Sequence, residues 1–266
     1  SKPFDVAMVH DRLTALMDPA ALDRESRPDL EHLLQISVES VIQLPSAIDT
    51  AQVIELMERK QDLSPSQLAE RWNDEVALTT RLLDVANSAS FQKTGEPVRS
   101  LRDAIATMGV DMALRHAMAM SLDISGHLRD SRLAGKATAF LETAEKVAQE
   151  AVRIALRVGS DQSEVHMAAL LSRVGELAVL KVMQQCLDRK GLVSDEQIED
   201  GLKAWAQNYG NRLKVQWHLP LQLRELIGAV HFLPREVTSE SKLVMRASAL
   251  IADGQNQGEE CLRLLR

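Results

Sequence analysis

Leu44-Pro45, then Leu63-Ser64-Pro65-Ser66-Gln67-Leu68-Ala69, then Arg81-Leu82-Leu83-Asp84-Val85-Ala86-Asn87-Ser88-Ala89-Ser90-Phe91 decide the reading of this chain. Ser64 is placed to cap a helix, and Pro65 suits the first turn, where a missing N–H needs no partner. Gln67 stands where its amide reaches back to the capping residue. Arg81 to Ala86 forms an amphipathic stretch, which Asn87 is expected to close in the left-handed conformation that Asn tolerates. The run from Asn87 through Ser88 to Phe91 has two readings. It ends a helix and buries Phe91, or it is a loop that contacts a partner or orders a groove.

Helical periodicity continues outward, with no convincing period-2 strand. From Leu133 to Val158 apolar residues recur at three- and four-residue steps, while Glu142, Lys146, Glu150 and Arg153 fall elsewhere. Gly159 ends that helix, and Ser160 or Asp161 begins another, expected to run from about Ser163 to Asp188 until Lys190-Gly191 breaks it. Ser194-Asp195-Glu196-Gln197 is a second capping box, opening a helix through Ala206 and Tyr209. Leu219-Pro220 is expected to end the helix after it, because the residue before proline disfavours the α region. Upstream, Ser100 caps a short helix that Gly109 terminates, and Asp111 starts one through Leu122. Periodicity weakens between Gly126 and Gly135, which marks a join of two helical lobes. The expected organisation is an extension over 1–29, an amino-terminal lobe over 30–130 and a carboxy-terminal lobe over 131–266.

An apolar share of 45% supports a real core, and an aromatic share of 3% means that Leu, Ala, Val, Ile and Met must build it. Such small contacts suit closely packed helices. A net charge of −7 with interspersed signs argues against a broad nucleic-acid surface, so no nucleic-acid partner is expected. Cys186 and Cys261 stand far apart with no CxxC, which fits a reducing compartment rather than a zinc site or a disulfide framework. No apolar run approaches the roughly 18–20 residues of a membrane span, and Ser1-Lys2-Pro3-Phe4-Asp5 lacks a signal-peptide pattern. The expectation is a soluble cytoplasmic protein with no membrane partner. There is no GxSxG elbow, no phosphate loop and no dinucleotide glycine fingerprint.

The order of parts from Leu44 to Phe91 resembles the opening of an HDOD domain, a bacterial signalling module related to HD-type and HD-GYP metal phosphohydrolases. The second half resembles the same pattern. Ala168-Ala169-Leu170-Leu171-Ser172-Arg173-Val174-Gly175 matches the small-small-Leu-Leu, His-Asp, Ile/Val-Gly run that carries the metal site in the ancestral enzymes. Here Ser172-Arg173 replaces His-Asp. Serine is a poor substitute for an imidazole, and Arg173 puts a permanent positive charge where a cation would sit. Glu142 stands roughly where the ancestors offer a first His. Trp217-His218-Leu219-Pro220, Ile227 and His231 resemble a later landmark whose first His is Val230 in this chain.

The resemblance therefore implies an all-α fold of two packed helical lobes, the second a degenerate HD core, with no cofactor and no metal. It implies a non-catalytic regulatory module of bacterial signal transduction that acts on protein partners. Two alternatives stand beside it: a residual HD-type phosphohydrolase, and a sensor of a small anionic ligand or nucleotide. The sensor would use the vestigial cleft between lobes, where Arg173 is expected to face the anion. His10-Asp11 lacks the flanking pattern and is read as a chance dipeptide. His116 and His166 are read as satisfied or half-exposed side chains, Trp217 and Pro220 as packing at a helix end, and Met108, Met112, Met118 and Met120 chiefly as core filling.

Overall fold

Capping chemistry sets most of the helix starts in the computed structural model, which describes residues 28–46, 48–91 and 97–264. His10-Asp11 and most of the expected extension lie outside the described residues. Asp29 caps α1 (Leu30–Glu39) and Asp49 caps α2 (Thr50–Glu58), each carboxylate accepting from a backbone N–H of the first turn. At α3 (Pro65–Arg71) the capping box forms in full: Gln67 N donates to Ser64 Oγ at 3.3 Å, and Ser64 N donates to Gln67 Oε1 at 2.8 Å. α4 (Val76–Ala86), α5 (Leu101–Met108, capped by Ser100) and α6 (Val110–Leu122) complete the first set. Asp130 opens α7 (Ser131–Val158), which ends at Gly159 in the left-handed conformation, φ 84°. Then come α8 (Gln162–Leu170, capped by Asp161), α9 (Val174–Asp188) and α10 (Asp195–Gln216), the last with its own capping box at Ser194. α11 (Leu221–His231), α12 (Glu240–Ala252) and α13 (Glu259–Leu264) follow. No strand occurs among the described residues, and the fold is all-α.

Several boundaries differ from expectation for physical reasons. Asn87 is not left-handed: its φ of −87° and ψ of 0° are ordinary for the end of a helix, and its side chain does the work instead. The stretch expected as one helix from Ser163 to Asp188 is broken by a 3-10 turn over Leu171–Arg173, within an apolar run that gives no local warning. α10 runs past Tyr209 to Gln216, and Pro220 begins α11 rather than ending a helix. The reversal between them uses His218 at φ 53°. Gly135 sits inside α7. Of the four methionines, Met108 and Met118 fill the core and Met120 packs half-buried against it, while Met112 is exposed, contrary to expectation.

α2 lies on α6, α3 and α4 lie on α5, and α4 also touches α6. In the second set α7 packs on α8, α9 and α12, α11 bridges α8 and α12, and α9 lies along α10. Alanines at 137, 148, 151 and 155 of α7 and at 168 and 169 of α8 are fully or almost fully buried, so the two backbones approach closely, as the aromatic-poor composition implies. The two sets meet where α6 touches α8. α1 packs on α9 and α10 rather than on its sequence neighbours. There Tyr209 Oη donates to Leu34 O at 2.8 Å, and Gln216 exchanges bonds of 2.9 and 2.7 Å with the backbone of Ile42. α9 and α10 cross so tightly that a Cβ on Gly175 would collide with the Ala206 carbonyl and stand 2.9 Å from Gly210 N.

Candidate functional site

The His-Asp position lies on the 3-10 turn between α8 and α9. Ser172 is 4% exposed, and its hydroxyl is buried with no hydrogen-bond partner among the described residues. Its carbonyl oxygen lies 2.9 Å from His231 Nε2 at the end of α11; a carbonyl only accepts, so Nε2 carries the proton in this contact. Arg173 Nη1 donates to Glu176 Oε1 at 2.9 Å, one turn on in α9. Val230, 2% exposed, is core. Glu142 is exposed on α7 and lines a different recess. Of the five vestigial positions, the structure thus joins Ser172 to His231 through the backbone, tethers Arg173 to Glu176, and leaves Glu142 and Val230 in other roles.

These residues do not fit a divalent cation. A guanidinium replaces a carboxylate, a hydroxyl replaces an imidazole, and the remaining histidine has one nitrogen engaged with a carbonyl. No group of three or more His, Cys, Asp or Glu is placed to hold a metal among the described residues.

The recess beside Glu142 is a cleft of about 620 Å³ between α4 and α6 on one side and α7 and α8 on the other. Arg173 does not line it, contrary to expectation, because its side chain turns to Glu176; Arg81 and Arg115 are the cations in the wall. His116 and His166 line it as well. Burial first, then the charges of Arg115 and of a protonated His116, push His166 down to about 4, against the opposing pull of Asp111. Its Nδ1 is buried without a partner among the described residues. Burial, and then Arg81, also lowers His116.

Next to the cleft, Asp111 gathers groups from three elements. Lys60 Nζ donates to Asp111 Oδ1 at 2.9 Å and to Ser163 Oγ at 2.6 Å, Ser163 Oγ donates to Asp111 Oδ1 at 2.9 Å, and Arg115 Nε donates to Asp111 Oδ2 at 2.8 Å. Burial alone would raise the Asp111 carboxyl, but the bonds from Lys60 and Ser163 and the charge of Arg115 outweigh it and hold it below the ordinary range. Sequence reasoning missed this node and the cleft histidines. Only the Asp111–Arg115 spacing of four was visible, since the other partners come from distant segments.

The signature residues at the front of the chain are structural in place. Leu44 and Pro45 are half-buried between α1 and α2, and Leu44 packs on the core. Asn87 Nδ2 donates to Leu83 O and to Val98 O, both at 2.9 Å, while Val98 N donates to Asn87 Oδ1 at 2.7 Å. Ser88 and Phe91 form the turn that follows, Phe91 N donating to Ser88 O at 3.0 Å with its ring against the core. Trp217 packs half-buried at the end of α10, and Pro220 precedes α11. A second cavity, of about 690 Å³, lies between α9, α10 and α11, with Ser172 and His231 in its wall. None of the signature residues lines either cavity.

An all-α domain that carries Ser172-Arg173 on a 3-10 turn between two helices is the class that this fold and site define. The chain belongs to the HDOD domain family, whose model matches residues 44–233. Among solved structures, a protein of Shewanella amazonensis SB2B provisionally named a metal-dependent phosphohydrolase is 20% identical, with a TM-score of 0.62 over 89% of this chain and 86% of that one. An HDOD domain protein of unknown function from Geobacter sulfurreducens is 21% identical, with a TM-score of 0.58 over 89% of this chain and 80% of that one. At these identities the likeness is one of fold. Among curated proteins, none matches this chain in sequence. No helix among the described residues is long and apolar enough to cross a membrane.

Proposed function

We propose that this chain is a non-catalytic regulatory module of a bacterial signalling pathway that works by contact with a protein partner. The observation that carries the reading is the chemistry of the His-Asp turn. A guanidinium stands at the carboxylate position and is tethered to Glu176 at 2.9 Å. A hydrolase of the HD kind needs several convergent imidazoles and carboxylates to hold metals that activate water. Family membership supports a signalling role at the level of the fold. The residual-phosphohydrolase alternative requires ligands other than Ser172, Arg173 and Val230, and no observation favours it.

The test measures metal content and turnover on the full chain. Protein purified without added metal is expected to carry no stoichiometric iron, manganese or zinc. With manganese or magnesium supplied, it is expected to hydrolyse bis-p-nitrophenyl phosphate no faster than the buffer does. Stoichiometric metal, or turnover that disappears in Glu142→Ala, would overturn the reading. A pull-down from the source organism with the same protein then identifies the partner.

A further inference from the structure

We propose that the cavity between α9, α10 and α11 binds a small organic carboxylate with an apolar body. The space, about 690 Å³, is of the size that ordinary small-molecule sites have. Leu171, Ile227, Leu233 and Val237 give it an apolar wall, which fits a hydrocarbon or aryl body.

The charges facing that space do not cancel. Five ionisable side chains of fixed sign line it: Lys203, Lys214, Lys242, Glu176 and Glu225. Lys242 pairs with Glu225 at 2.8 Å, and Glu176 is taken by Arg173 from outside the cavity. Lys203 and Lys214 have no ion pair among the described residues, so two amines face the space without counter-charge in a chain whose net charge is −7. Lys214 is half-buried, which makes an uncompensated ammonium costly. Two amines set in an apolar wall match a single small anionic group on a mostly apolar molecule. The inference stands whether or not the protein is catalytic.

Isothermal titration calorimetry of the full chain with octanoate tests it, with octanol, octylamine and inorganic phosphate as controls. Octanoate is expected to bind one per chain, with octanol and octylamine weaker by about tenfold or more, as loss or reversal of one charge contact implies. Inorganic phosphate is expected not to displace it. Lys214→Gln should weaken octanoate by about tenfold or more. If Lys214→Gln fails to fold by circular dichroism, Lys203→Gln, at an exposed position, carries the same test. The proposal is overturned if octanol binds as tightly as octanoate, if phosphate displaces octanoate, if folded lysine variants bind like the parent, or if no octanoate binds at about 1 mM.

Discussion

Asn87 holds two stretches of backbone together with one amide. Its Nδ2 donates to Leu83 O in its own helix and to Val98 O, while its Oδ1 accepts from Val98 N. A left-handed residue would tolerate glycine. A residue at φ −87° that acts through its side chain does not gain from glycine's freedom. Asn87→Gly and Asn87→Ala are therefore expected to destabilise the protein alike, by about 2–3 kcal/mol, as loss of three hydrogen bonds with backbone groups left unpaired implies. Urea denaturation decides the matter: a glycine variant within about 0.5 kcal/mol of the parent would refute the side-chain role. The sequence marks Asn87 as a helix closer because closure is local. It does not mark the clamp, because Val98 is placed by tertiary folding and carries no signal of its own.

At the scale of the element, local chemistry was legible and contact between helices was not. Both capping boxes, the Ser100 cap of α5, the Asp161 cap of α8 and the left-handed Gly159 follow from residues within one turn of the boundary. The 3-10 turn over Leu171–Arg173 does not, since its apolar neighbours continue the helical pattern on both sides. The family's Val-Gly pair after the His-Asp position had no physical reading in the sequence either. The structure supplies one: Gly175 is where α9 meets the Ala206 carbonyl of α10. The obstacle there is backbone rather than a side chain that can swing away. Gly175→Ala is expected to cost at or above the upper end of the ~1–3 kcal/mol usual for overpacking, although alanine is the better helix former. Thermal denaturation with a midpoint equal to the parent's would show that the two helices have room to part.

For the molecule as a whole, the half-buried imidazole at the meeting of the two helical sets makes stability depend on pH. His166 titrates at about 4 in the folded chain against about 6.5 unfolded, because burial, and then Arg115, disfavour its charged form. Its contribution is thus fully present above about pH 6.5 and is lost as pH falls towards about 4, where the unfolded chain has taken up a proton that the folded chain resists. The loss is at most on the order of 3 kcal/mol. Asp111, also held low, adds a loss of the same sign at more acid pH, and lowered His116 adds one of the same sign as pH falls below about 6.5. Comparison of the parent with His166→Gln by urea denaturation at pH 7, 5.5 and 4.5 isolates the one residue: the parent should lose more stability than the variant. Equal slopes would mean that His166 takes up its proton without cost. The all-α class was legible from periodicity and the family from motif. The cleft, the Asp111 node and the second cavity were not, because each is assembled from segments far apart in the chain.

The docking of α1 also bears on how the chain is made. Leu30, Leu33 and Leu34 are buried only once α9 and α10 exist, and the bonds from Tyr209 and Gln216 to Leu34 and Ile42 span 175 and 174 residues. On the ribosome, at roughly 5–20 residues per second, α1 emerges on the order of ten seconds or more before α10 does. Through that interval a leucine-rich helix waits beside its own growing chain, open to chaperones and to other nascent chains. A helix made well before its partners is thus among the last to settle.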